Sequence, residues 1–188
     1  MKRIITISIL FILLLIILNV FRVHVNPAST IPGNIETIEM YNTSFGKAIL
    51  YEDKSTGTFG IAEVNKVLGF IFYYNEGINS YYIEDGKPFV AAGYGDTNKE
   101  FMVGVKVPKG TNIKYIALGN DPDRKSTEIT LEIAKQNKGI YQLKEVKGEY
   151  AVFKTDGYSE NSWTIRGYDK NGKLVADKLF GEEAKFVD

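Results

Sequence analysis

An uninterrupted apolar stretch near the amino terminus constrains this 188-residue chain more than any other feature. The stretch runs from Ile4 to Phe21, contains no charged side chain and has only three polar ones, at Thr6, Ser8 and Asn19. As a helix it would extend roughly 27 Å, close to the thickness of a membrane hydrocarbon core, about 30 Å. The sequence therefore predicts one transmembrane signal-anchor helix over residues 4–21, with membrane lipid around it.

The charges that flank this stretch predict how the rest of the chain is placed. Lys2 and Arg3 precede it, and basic residues beside an apolar span stay on the cytoplasmic side. Residues 1–3 would then form a cytoplasmic stub, residues 22–34 a stalk, and residues 35–188 an extracytoplasmic domain of the cell membrane. The alternative is a cleaved signal peptide that leaves a secreted protein, since secretory signals also begin with basic and apolar residues.

Composition narrows the class of partner. The chain has 23 basic and 23 acidic residues and no cysteine. Three of the basic residues, Lys2, Arg3 and Arg22, flank the apolar stretch, so the remainder is mildly acidic and shows no basic stripe that would favour nucleic acid. A domain of this size folds without disulfides because it can bury a sizeable core. This composition is typical of a protein of the bacterial cell envelope.

Short segments rich in β-branched and aromatic residues fill the region after the stalk, separated by turn residues. Alternating apolar residues from Phe101 to Val107 give the clearest strand pattern, and Asn171-Gly172 favours a hairpin. Thr130 could cap one helix over 131–138. The predicted fold is mainly β, an antiparallel sandwich or strongly bent sheet of about ten short strands with one short helix, after the transmembrane helix. The predicted strands cover residues 47–51, 58–64, 70–74, 81–83, 89–92, 101–107, 113–118, 141–146, 149–153, 163–168 and 174–178.

Catalytic and metal-binding chemistry has little support in the sequence. His24 is the only histidine and lies in the predicted stalk, so the domain holds no histidine-based triad or histidine metal site. Acidic side chains cluster in two turns, but hard cations need six or more oxygen ligands, and turn formation explains both clusters. No metal and no cofactor is predicted. The residues of these turns are Asp121, Asp123, Glu128, Asp169 and Asn171.

One enzymatic alternative rests on two short segments. Ser29-Thr30-Ile31-Pro32 resembles the serine box of the type I signal peptidases, and the segment from Gly119 to Arg124 resembles a later box of that family. The resemblance implies a Ser/Lys dyad in which Ser29 is the nucleophile and Lys106 the base. The chain departs from the family in the residue after Ser29, which is Thr rather than Met, in the Val that follows Lys106, and in the order of Asn and Asp.

Aromatic residues suggest a binding face rather than an active site. Adjacent aromatics on a strand point to opposite faces, so some of them are exposed or lie between layers, where rings can stack on a ligand. We interpret the chain as a non-enzymatic binding or interaction domain, and its partner as another envelope protein or a wall polymer. A self-associating envelope structural protein is the other alternative. The candidate binding residues are Tyr73, Tyr74, Tyr81, Tyr82, Tyr94 and Trp163, and residues 70–82 are the first place to test.

Overall fold

The chain forms two compact units, Met1–Asn79 and Ser80–Asp188. The computed structural model describes residues 2–20, 23–44, 46–82, 84–95, 100–120, 129–156, 163–179 and 181–187. Three antiparallel sheets hold most of these residues, so the prediction of a mainly β fold is confirmed.

The first unit combines a helix with one five-stranded sheet. The sheet order is β1-β5-β4-β3-β2, and its core includes Ile49, Val64 and Phe72. The predicted strand 70–74 lies in the first part of a longer strand, β5, which the predicted strand 81–83 overlaps only at Tyr81; residue 83 lies outside the described residues. The elements are α1 (Lys2–Val20), β1 (Val23–His24), the 3₁₀ helix η1 (Ala28–Thr30), β2 (Ile35–Asn42), β3 (Gly46–Asp53), β4 (Thr58–Val67) and β5 (Ile71–Tyr81).

The prediction of a transmembrane helix over residues 4–21 is corrected by the structure. Among the described residues, the structure contains no helix with both the length and the apolarity needed to cross a membrane.

The second unit contains the other two sheets and a short helix. The sheet orders are β10-β7-β6 and β13-β12-β11-β8-β9. Both sheets contribute to one core, which includes Val103, Phe153 and Ile165. The elements are β6 (Val90–Gly95), β7 (Glu100–Lys106), β8 (Tyr115–Asn120), α2 (Leu131–Gln136), β9 (Tyr141–Glu145), β10 (Tyr150–Asp156), β11 (Trp163–Tyr168), β12 (Leu174–Leu179) and β13 (Lys185–Phe186).

Local sequence explains the helix and the hairpin of this unit. The Ile133 N–H donates to the Thr130 hydroxyl at 3.3 Å, which confirms the predicted cap, although α2 ends at Gln136 rather than at residue 138. In the turn between β11 and β12, the N–H of Asn171 donates to the Asp169 carboxylate at 2.8 Å. Gly172 adopts a φ of +83° there, a conformation that glycine permits, and the predicted hairpin is confirmed.

Strand β2 is the main element that the sequence pattern did not predict. It lies at an edge of its sheet and has no fully buried residue. The pairing shifts register between Thr37 and Glu39, so the apolar residues do not alternate regularly. A half-exposed, bulged edge strand leaves a weak periodic signal.

Candidate functional site

The aromatic residues that were predicted as a binding face divide between the two units. In the first unit, Tyr73 pairs with Val23 across the sheet, and Tyr74 packs against the buried core. Tyr81 ends β5, and its side chain lies outside the described residues. Neither Tyr73 nor Tyr74 is fully exposed, so both contribute to packing in this unit.

The second unit holds the other three aromatics in different surroundings. Trp163 is buried, at 8% exposed, and belongs to the core between the sheets. Tyr94 lies half-buried on β6. Tyr82 is 59% exposed and lines a pocket. Trp163 also lines a smaller cavity of about 180 Å³. Among the predicted residues whose side chains are described, Tyr82 is therefore the exposed one at the wall of a cavity.

This cavity, the β6 pocket, lies at the amino-terminal end of strand β6. Its volume is about 380 Å³, at the lower end of the range for ligand sites, about 300–1,000 Å³. Phe89 and Ala184 form an apolar part of the wall. Both belong to the buried core, so this part of the wall is closely packed from behind. The lining residues are Tyr82, Glu84, Lys87, Phe89, Val90, Ala91, Lys178, Glu183 and Ala184.

Strand β6, which contributes to the pocket, lies at an edge of its sheet. Among the described residues it is hydrogen-bonded on one side, to β7. Its sequence, Val90–Gly95, contains no charged side chain, whereas the edge strands β2, β9 and β10 each carry charges. Charged residues protect sheet edges from pairing with other chains. Among the described edge strands, β6 and the two-residue strand β1 have no acidic residue, lysine or arginine, and β6 is the longer of the two.

An ion pair joins the two loops that border the pocket. The Lys87 ammonium donates to the Glu183 carboxylate, and the two residues are far apart in the chain. This contact raises the pKa of Lys87 and lowers the pKa of Glu183. The pair links the segment before β6 to the segment after β12 at the pocket wall.

Lys178 is the second cation of the pocket, and its surroundings differ from those of Lys87. The Lys178 ammonium donates to the backbone carbonyl of Glu182. Burial lowers the pKa of Lys178, partly offset by the nearby carboxylates of Glu183 and Glu182. A half-buried ammonium next to apolar wall is incompletely solvated, and an anion placed beside it would stabilise its charged form.

Sequence reasoning missed a buried polar cluster on the face of β11 that packs with α2. Arg166 is 1% exposed, donates to the Tyr141 hydroxyl at 2.6 Å, and lies 3.6 Å from the Asp177 carboxylate. Burial raises the pKa of Asp177, and Arg166 lowers it in part. Gly119 makes room for Tyr141, because a Cβ there would lie 2.2 Å from the tyrosine ring. The Asn-Gly turn could have indicated this cluster, because the hairpin that it closes pairs Arg166 with Asp177.

The residues of the predicted Ser/Lys dyad lie on η1 and β7, and one of the two acidic turns is described. Ser29 lies exposed in η1 of the first unit. Lys106 ends β7 of the second unit, with its ammonium 5.7 Å from the centroid of the Tyr150 ring. The Asp169 carboxylate accepts N–H groups of its own turn, and residues 121–128 lie outside the described residues. The Ser/Lys peptidase stays a prediction.

Comparison of the chain with protein-family models, curated proteins and solved structures gives no match.

Proposed function

We propose that this chain is a non-catalytic binding protein and that β6, together with the β6 pocket, holds an extended segment of another envelope protein. The observation that carries the proposal is the coincidence of an uncharged sheet edge with an apolar pocket at one end of it. An extended segment can add to such an edge as a further strand, with its backbone hydrogen bonds giving affinity and alternate side chains filling pockets.

The apolar walls of the β6 pocket give this mode its specificity. Phe89, Val90 and Ala91 follow one another where the chain enters β6, and Tyr82 adds an exposed ring. An added strand would place every second side chain on the pocket side. Tyrosine beside a pocket is a frequent source of binding energy, because its ring buries a large area and loses little conformational freedom.

Replacing Tyr82 with alanine is expected to weaken binding of an extended peptide about tenfold, the effect of losing roughly 1.4 kcal/mol. The probe is a library of heptapeptides immobilised through their amino termini, screened with the full chain in a nonionic detergent. Affinities of selected peptides are then measured by fluorescence anisotropy. Because Tyr82 is 59% exposed, its removal should leave the fold intact.

Phe70→Ala is the matched control, since Phe70 is 58% exposed but belongs to the first unit. It is expected to bind the same peptides as the unchanged protein. The proposal is wrong if the library yields no binder, or if Phe70→Ala weakens binding and Tyr82→Ala does not. Concentration-dependent dimers without peptide binding would instead indicate that a second copy of the chain occupies the β6 edge.

The location of the protein is part of the same proposal. Most apolar side chains of α1 are half or more exposed, such as Ile4 at 69% and Phe11 at 60%, and exposed apolar surface of this extent indicates a lipid or protein partner. We infer that α1 contacts membrane lipid and that the strand-rich units face the outside of the cell. Protease added to intact cells is expected to digest both units. Digestion only after lysis would place them inside and remove envelope proteins as partners.

A further inference from the structure

We propose that the β6 pocket recognises the carboxyl terminus of the bound segment. Lys178 would contact the terminal carboxylate, and the apolar walls would receive the last side chain. This inference rests on the proposed function and names the part of the partner that the site takes.

The charges around Lys178 are not evenly balanced. Two carboxylates influence it, those of Glu182 and Glu183, but each is paired with another lysine. Glu183 accepts from Lys87, and Glu182 lies 3.5 Å from the Lys185 ammonium. In the part of the chain that the structure describes, Lys178 has a neutral carbonyl as its hydrogen-bond partner. It is therefore the lining cation whose charge is least balanced.

The pocket wall places a cation beside apolar side chains. Lys178 is half-buried, and desolvation is the main cause that lowers its pKa. A carboxylate beside Lys178 would replace the hydration that its ammonium loses on burial, through a charge-assisted hydrogen bond. Phe89 and Ala184 lie in the same wall and are almost fully buried. A ligand that carries a carboxylate directly beside an apolar group fits this combination.

The pocket lies at one end of strand β6. The pocket includes Val90 and Ala91, the first two residues of β6. A segment that adds antiparallel to β6 brings its own carboxyl end to the amino-terminal end of β6. A chain that ends there delivers both a terminal carboxylate and a terminal side chain to the pocket.

The test compares pairs of peptides that differ only in the terminal group. Peptides selected from the heptapeptide library with free carboxyl ends are expected to end in an apolar residue. Replacing the terminal carboxylate of such a peptide with an amide is expected to weaken binding to the unchanged full chain about 10- to 100-fold, as for loss of a charged hydrogen bond. This comparison requires no variant of the protein.

A lysine variant then locates the effect. Lys178→Met keeps the apolar stem, and we expect it to bind the acid and the amide with equal affinity, near that of the amide for the unchanged protein. Retained binding of the amide shows that the variant is folded. Lys144→Met, which removes an exposed lysine on β9, serves as the control and is expected to keep the full difference between acid and amide.

The outcomes separate this inference from the proposed function. If peptides bind through Tyr82 but acid and amide bind equally, or if Lys178→Met keeps the difference, recognition of the terminus is wrong and the binding protein remains. If no peptide binds, both proposals fail together. Binding of 3-phenylpropanoate by a protein that takes no peptide would make the pocket a site for free acids and would overturn the peptide assignment.

Discussion

Replacement of Phe89 by alanine is expected to lower the free energy of unfolding of the second unit by about 3–5 kcal/mol, the usual cost of removing a buried phenylalanine. Phe89 is 1% exposed and packs in the core formed by both sheets of this unit. Its removal costs the transfer free energy of the ring and leaves a void that rigid strands cannot fill. Trp163, the only tryptophan, lies in the same core, so its fluorescence during urea unfolding reports the change.

Phe186→Ala is the matched control for this measurement. Phe186 is 51% exposed on the short strand β13, and exposed substitutions usually change stability by about 0.5 kcal/mol or less. Phe89→Leu keeps part of the buried volume, and its loss of stability is expected to lie between those of Phe89→Ala and Phe186→Ala. If Phe89→Ala lowers the free energy of unfolding by less than about 1 kcal/mol, the side chain of Phe89 does not contribute to the core in the way that its burial indicates.

Sequence patterns predicted the parts of the fold that depend on neighbouring residues. The alternation from Phe101 to Val107 indicated a strand with one buried face, and Val103, Val105 and Val107 lie in the core. Thr130 and the Asn171-Gly172 turn act through hydrogen bonds within a few residues. Signals of this kind are local, because one side chain or one permitted backbone conformation suffices.

The pocket could not be predicted in this way, because its residues come from distant parts of the chain. Lys87 and Glu183 are separated by 96 positions, and the depth of Lys178 in the wall depends on how two sheets pack. Aromatic content drew attention to Tyr82 but equally to Trp163, which is a core residue. The length of the apolar stretch predicted a transmembrane helix, and that prediction was wrong: among the described residues no helix combines the length and the apolarity needed to cross a membrane.

Removal of the Asp177 carboxylate by substitution with alanine is expected to destabilise the second unit by about 1–3 kcal/mol, again measured by Trp163 fluorescence in urea. The reason is Arg166, which is 1% exposed and has the Asp177 carboxylate 3.6 Å from its guanidinium. Without that carboxylate a buried positive charge loses its counter-charge. The loss is moderate because the attraction of Arg166 only partly offsets the cost of burying this carboxylate. The double substitution Arg166→Met with Asp177→Leu removes both charges and is expected to recover most of the loss.

The pH dependence of Asp177→Asn separates the charge of Asp177 from its packing. Burial raises the pKa of Asp177 above its ordinary value of 3.8 in the folded protein, so the folded state binds this proton more tightly than the unfolded state. The stability that results is present below the unfolded pKa and is lost as pH rises through the folded pKa. The unchanged protein should therefore lose stability relative to Asp177→Asn as pH rises from about 3 to 7. A constant difference over this interval would show that the carboxylate titrates equally in both states, and the cluster would then act through shape alone.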